Sequence, residues 1–371
     1  MPIKISIATA VYNLDESFLR KFIEGASGQL TDETELLLID DCSTNNSGDV
    51  CREYAGKDSR IRYIRMEANG GLSCVRNRSI DEAKGKWVFF ADGDDLLSLH
   101  FVETALRFCD SDADIIIHER MKFVEFVPLD FQCYVEKLTE LPAEAGCALS
   151  ISCLCLDPSV AKPFGLSSRA FYHAAWGALY KKEFLVKHNL RFPVGQKKAQ
   201  DSVFNTEAYY YAEKIAYLPY IMYYYRNNPR GITRRYSGDL PEINSSLLKL
   251  LNEEKEKLYP DDTNVNLRFQ NHRIMATVVD NMRLNIFHKN NPKSKNQRRE
   301  EFLSFIEEEP YKSAIDNFDA FKFNRREWLL TVVLIRKKRF SEMNVIFRND
   351  NYFRFFSGVY KRFSKFIRKR Y

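Results

Sequence analysis

The stretch that most constrains this chain is Lys86-Trp87-Val88-Phe89-Phe90-Ala91-Asp92-Gly93-Asp94-Asp95. Its apolar run, Trp87 to Ala91, contains no turn residue. Such a run predicts a strand buried on both faces, as in the middle of a parallel sheet. The strand then stops in three carboxylates within four residues, spaced by one glycine. Like charges this close repel and raise each other's pKa, so stability alone does not explain them. A positive partner is expected. Open α/β sheets bind their ligands at the carboxyl ends of central strands, and a divalent metal holding a phosphorylated ligand suits that place. Alternation sends Asp92 and Asp94 to the same side, while Gly93 lets the backbone turn.

The flanking chain repeats the theme. Ile3 to Val11 predicts a strand that runs into the turn Tyr12-Asn13-Leu14-Asp15. Asp15 then caps a helix with Phe18, Leu19, Phe22, Ile23 and Ala26 on one face. Glu35 to Ile39 predicts a second buried strand, again acidic at its end in Asp40-Asp41. A short helix over 48–55, a strand over 61–66 and a helix carrying Arg76 and Asn77 complete a strand–helix alternation. That spacing predicts a doubly wound α/β sheet with two acidic strand ends facing one crevice. Beyond it, a helix over 99–108, a strand from Ala113 to Ile117 and another from Ala174 to Tyr180 are expected. A polar loop from Gly195 enters a helix near Asp201, and Ile215 to Tyr225 reads as extended. From Pro241 the pattern is helical, which places a domain boundary near residue 240: 1–240, then 241–371.

Charge divides the chain. Residues 321–371 hold 15 Lys and Arg against 3 Asp and Glu, a net +12 in a chain of net +6, so the remainder is −6. On a helical wheel, 352–371 places Phe355, Phe356, Phe363 and Phe366 on one face and Arg354, Lys361, Lys365 and Arg368 on the other. This predicts a helix for an anionic membrane interface, for the chain's own helical domain or for a second copy in a homo-oligomer. Eight cysteines without a CxxC pair, and a start without an apolar leader, lead us to expect reduced thiols in a cytoplasmic protein, peripheral at the inner face of the membrane. No G-x-G-x-x-G follows the first strand, which argues against a dehydrogenase, and no nucleic-acid partner is expected.

Together these motifs resemble the family 2 glycosyltransferases of the GT-A fold. Ala10-Val11-Tyr12-Asn13 resembles that family's P-V-Y-N, and Asp40-Asp41-Cys42-Ser43-Thr44 its D-D-G-S-T. Asn69-x-Gly71 and Val75-Arg76-Asn77 are similar to its N-x-G and A-R-N, and Asp92-Gly93-Asp94-Asp95 to its D-S-D-D. Gln200-Asp201-Ser202-Val203-Phe204-Asn205 resembles its E-D-x-x-F-N. The departures are Ala10 for proline, Cys42 for glycine and Gln200 for glutamate.

The resemblance implies a GT-A-like domain, a mostly parallel twisted sheet with flanking helices, followed by a mainly helical C-terminal region. It implies metal-dependent, inverting transfer from a nucleotide sugar, most often a UDP-sugar, to a glycan, lipid-linked or protein-linked acceptor. Thr9, Val11 and Asp40 would contact the base and ribose, with Arg76 in the same nucleotide site. Asp92 would contact the ribose, Asp94 would hold Mn²⁺ or Mg²⁺ on the diphosphate, and Asp201 would be the catalytic base. Against the base role stands a plain helix-capping role for Asp201. His173 and His188 are secondary metal candidates, and the loop with Arg226, Arg230, Arg234 and Arg235 is a candidate phosphate clasp. The competing functions are a nucleotidyltransferase, disfavoured by the lack of a glycine-rich first loop, and a non-catalytic nucleotide-sugar or glycan-binding module.

Overall fold

The computed structural model describes residues 1–124, 137–227, 235–320, 322–323 and 328–348. The expectations for Arg230, Arg234 and the helix at 352–371 lie outside the described residues. The chain divides into two compact units, Met1–Cys153 with Pro158–Asn228, and Leu154–Asp157 with Pro229–Tyr371.

The first unit is built on a nine-stranded sheet. In chain order its elements are β1 (Ile5–Val11), α1 (Glu16–Ser27), β2 (Thr34–Asp40), α2 (Ser47–Lys57), β3 (Ile61–Arg65), α3 (Leu72–Glu82), β4 (Trp87–Asp92) and β5 (Leu96–Leu97). They continue as α4 (Phe101–Phe108), β6 (Ile115–Phe123), β7 (Thr139–Glu140), α5 (Glu144–Cys155), β8 (Ala178–Lys181), α6 (Lys182–Lys187), α7 (Gln200–Tyr211) and β9 (Ile215–Arg226). The strand order is β3-β2-β1-β4-β8-β6-β9-β5, with β7 also on β9. Strands β3, β2, β1 and β4 are mutually parallel. Strand β8 then enters antiparallel to both β4 and β6, so the sheet as a whole is mixed.

Strand β4 is central, and its alternation builds both halves of the core. Trp87, Phe89 and Ala91 pack into the cluster that holds Leu19, Phe22 and Ile23 of α1. Val88 and Phe90 pack into the opposite cluster, with Ile80 of α3 and Phe204 of α7. Register lines up the acidic ends: Val11 pairs with Asp40, and Ala10 with Asp92. Asp15 caps α1 as expected, its carboxylate accepting the Ser17 N–H at 2.9 Å.

The strand expected from Ala174 is shorter than the pattern suggests. Ala175–Gly177 forms a 3₁₀ turn, and only Ala178–Lys181 pairs in the sheet. The cause is Gly177, where a Cβ would lie 2.2 Å from the Phe171 carbonyl oxygen. The chain folds back on itself there because no side chain prevents it.

The second unit is helical through its described residues. It comprises α8 (Leu240–Leu258), α9 (Thr263–Arg268), α10 (Met275–Asn281), α11 (Lys295–Phe305), α12 (Tyr311–Asn317), α13 (Leu329–Arg336) and α14 (Phe340–Arg348). Phe287, Phe302, Phe340 and Phe347 form a ring cluster at its centre. Among the described residues no helix is long and apolar enough to cross a membrane.

Gly177→Ala should lower unfolding free energy by about 1–3 kcal/mol, the usual cost of overfilling a packed site. Gly25→Ala, on the open face of α1 with nothing within 4 Å, should be neutral or stabilising by up to about 1 kcal/mol. Denaturant melts of the two variants check the contrast, and equal destabilisation would contradict it.

Candidate functional site

The site follows from the parity of β4. Asp92 shares its face with Val88 and Phe90, so it points toward the side of the sheet covered by α3 and α7. From α3 comes Arg76, buried, its guanidinium 5.2 Å from the centre of the Phe192 ring. From the first turn of α7 comes Asp201. Arg76 Nη2 lies 3.3 Å from Asp92 Oδ1, and Arg76 Nη1 donates to Asp201 Oδ1. The other oxygen of Asp201 accepts the Ala175 N–H at 3.4 Å. The carboxylate of Asp201 is therefore turned toward Arg76 and Ala175. Residue Ala199, in a left-handed conformation, precedes α7 without a side-chain cap.

The acidic loop is held from across the sheet. Tyr223 Oη accepts the Asp92 N–H at 3.0 Å and donates to Asp95 Oδ2 at 2.7 Å. The Arg226 N–H donates to Asp95 Oδ1 at 2.6 Å, and Arg226 Nε to the Asp94 carbonyl at 2.6 Å. The Arg226 guanidinium lies between the rings of Phe18 and Phe123, at 4.1 and 4.5 Å. Gly93 packs closely against Leu14: a Cβ there would meet Leu14 Cδ1 at 2.7 Å and the leucine side chain would have to shift. Burial pushes the Asp95 carboxyl up to about 8, helped by the charges of Asp92 and Asp94. Asp92 is pushed up to about 6 by burial, against the pull of Arg76 and with the push of Asp94 and Asp201. Asp94 is raised as well, by burial.

These carboxyls fit a cation. Asp94 makes no ion pair with a described residue, and burial together with the neighbouring acidic charges raises Asp92 and Asp95. Among the described residues no group of three or more His, Cys, Asp or Glu could hold a metal alone. A single carboxylate completed by phosphate oxygens is nonetheless how Mg²⁺ is usually held in nucleotide sites.

The remaining candidates frame this cluster. Thr9, Val11 and Asp40 are fully buried, and the Thr9 hydroxyl has no hydrogen-bond partner. Asp40 accepts from the Ser43 N–H at 2.8 Å, Tyr63 Oη at 2.9 Å and Arg65 Nη1 at 2.8 Å. Its neighbour Asp41 clamps the next loop, taking the Gly70 and Gly71 N–H groups at 2.8 Å each. Cys42, where the family has glycine, has φ of 65°. His173 Nε2 lies 3.2 Å from Ser152 Oγ, and His188 stacks on Tyr211, so the structure does not bring either to the acidic cluster. The sequence assigns no role to Asp41, Asp95 or Tyr223, and it offers Arg226 as part of a phosphate clasp, whereas in the structure Arg226 bonds Asp95 and the Asp94 carbonyl. The doubled Asp40-Asp41 is the available signal for Asp41; for Tyr223 no local pattern exists.

Residues 6–140 match the sequence model of glycosyl transferase family 2. Glycosyltransferase GlyA of Streptococcus pneumoniae is 32% identical over 237 residues, 62% of this chain and 32% of that protein. The poly(ribitol-phosphate) beta-N-acetylglucosaminyltransferase TarS of Staphylococcus aureus is 24% identical over 266 residues, 70% of this chain and 42% of TarS. These alignments span under half of either relative. The crystal structure of S. aureus TarS 1–349 with UDP-GlcNAc aligns with a TM-score of 0.61 at 19% identity, covering 92% of this chain and 90% of that one. The shared fold is GT-A with a helical C-terminal region.

Two variants probe the site's physics. Arg76→Met should cost about 3 kcal/mol at pH 7.5, because removing one partner strands two carboxylates. The loss should shrink toward pH 5. Without the cation the Asp92 pKa climbs above about 6, so the folded variant binds more protons than the unfolded chain and its stability falls as pH rises. Urea melts at both values check the sign. Cys42→Gly should stabilise by about 1 kcal/mol by removing a left-handed side chain, read as a raised denaturation midpoint.

Proposed function

The chain carries a family 2 glycosyltransferase domain, and from that premise we propose that it moves a sugar from a nucleotide sugar, a UDP-sugar first among them, to a hydroxyl of a glycan, lipid-linked or protein-linked acceptor with inversion at the anomeric carbon. The observation that carries this reading is Arg76 linking Asp92 and Asp201 beside Asp94, at the carboxyl edge of the sheet. TarS bound to UDP-GlcNAc and a Pyrobaculum calidifontis mannosyltransferase bound to GDP-Man and Mn²⁺ support it as structural neighbours.

In this reading Thr9, Val11 and Asp40 shape the base pocket from behind, and Asp92 orients the ribose. Asp94 would hold Mn²⁺ or Mg²⁺, which would supply Lewis-acid neutralisation of the departing diphosphate. The acceptor hydroxyl is deprotonated by Asp201. Its Oδ1 is held by Arg76, while its Oδ2 has only the long contact to Ala175 and its side chain is one-fifth exposed. Arg76 thereby fixes the base in one orientation. A single carboxylate base on the acceptor side suits direct displacement, hence inversion.

Asp201→Asn should reduce transfer by about 10²–10⁴-fold, the usual contribution of a general base, while UDP affinity with Mn²⁺ stays within a few-fold. Asp94→Ala should lose the metal-dependent part of UDP binding, so that its calorimetric titrations with Mn²⁺ and with EDTA coincide. A screen of nucleotide sugars for Mn²⁺-dependent donor hydrolysis precedes both. Full transfer by Asp201→Asn, or no binding of any nucleotide by the parent chain, would sink the assignment.

A further inference from the structure

Beside the acidic loop stands a layer of stacked rings that this chemistry does not use. Trp176 stacks on Phe171 at 5.3 Å, on Tyr223 at 5.0 Å and on Tyr225 at 5.3 Å. The Arg120 guanidinium from β6 sits 4.2 Å from the Phe171 centroid, 5.8 Å from Trp176 and 5.9 Å from Tyr225. The β6–β9 register shifts on either side of Glu119, an irregularity of the kind that re-aims side chains near sites.

A half-buried cation in such surroundings calls for an anion. Among the described residues Arg120 has no carboxylate partner, and its Nε is buried without a hydrogen-bond acceptor. The neighbouring carboxylates are engaged elsewhere. Glu119 takes Arg169 at 2.6 Å and Tyr217 at 2.7 Å. Asp95 takes the Tyr223 hydroxyl and the Arg226 N–H. Burial pulls the Arg120 guanidinium below its ordinary pKa, against the opposing effect of Tyr225 and of the more distant Asp95. Stacking on aromatic rings uses the guanidinium's faces and leaves its N–H edge for a planar or tetrahedral oxyanion.

The layer also stands on a particular side of the chemistry. Trp176 follows Ala175, whose N–H meets the proposed base Asp201. We infer that Arg120, framed by Phe171, Trp176 and Tyr225, is an acceptor subsite for an anionic group, a phosphate or carboxylate carried by the acceptor molecule. This rests on the reading of Asp201 as the acceptor-side base. It narrows the substrate class from glycans in general to acceptors bearing phosphate or uronic acid.

The test uses the full chain with UDP and Mn²⁺ saturating, so that added anions do not occupy the donor site. Glycerol 3-phosphate and glucuronate are titrated calorimetrically, with glycerol and glucose as neutral controls. The parent should bind both anions, more weakly as salt rises, and bind the neutral controls far less. Arg120→Met keeps the apolar stem and should weaken both anions about tenfold or more, with UDP affinity within twofold. Arg120→Lys should recover part of the loss, and melting curves confirm that both variants are folded. Equal anion binding by Arg120→Met, or equal binding of neutral controls by the parent, overturns the subsite. Loss of UDP affinity in Arg120→Met assigns the guanidinium to the donor diphosphate and also overturns it. If the parent fails to bind UDP, the glycosyltransfer reading falls first and the subsite with it.

Discussion

A buried guanidinium shared by two carboxylates is the constraint on which the site depends. Arg76 lies inside the fold on α3, with Asp92 from β4 on one side and Asp201 from α7, 125 residues away in sequence, on the other. Such an arrangement is weak evidence for stability, because well-packed apolar residues often serve as well or better. Its presence therefore asks for another reason. Here the reason is positional: Arg76 brings two acids from distant segments to one edge of the sheet, its charge offsetting part of their mutual repulsion.

The acidic loop depends on a second set of contacts from the far end of the chain. Tyr223 and Arg226, at the end of β9, bond the backbone and side chains of residues 92–95. The loop is thus fixed by the protein's own contacts, while its carboxyls are held above their ordinary range by burial and mutual repulsion. A site of this kind is organised in geometry and unsatisfied in charge. That combination favours binding of a cation together with a phosphorylated ligand, because little ordering entropy remains to be lost. Asp41, just past the end of β2, plays the corresponding part there, holding the Asn69–Gly71 turn that starts α3, the helix that carries Arg76.

The ring layer around Trp176 shows how one small residue decides a local architecture. Gly177 allows the 3₁₀ turn, the turn places Trp176 among Phe171, Tyr223 and Tyr225, and those rings receive Arg120. Packing and recognition are continuous here, since the same faces that stabilise the turn hold the cation.

The elements themselves were legible in the sequence because each is written in local pattern. Trp87 to Ala91 reads as a buried strand since both of its faces meet apolar layers, and Asp15 reads as a cap since its carboxylate serves an N–H two residues on. Asp40 and Asp92 at strand ends and Asp201 in the first turn of a helix were legible too, because strand ends and helix starts are marked by local pattern. Tertiary structure alone decided the rest. The entry of the four-residue β8 between β4 and β6, the sharing of Arg76 by Asp92 and Asp201, and the grip of Tyr223 and Arg226 on the acidic loop join segments roughly 60 to 130 residues apart. No local periodicity records such pairings, since they are chosen by which faces the whole sheet brings into contact and by which buried charges must then find partners.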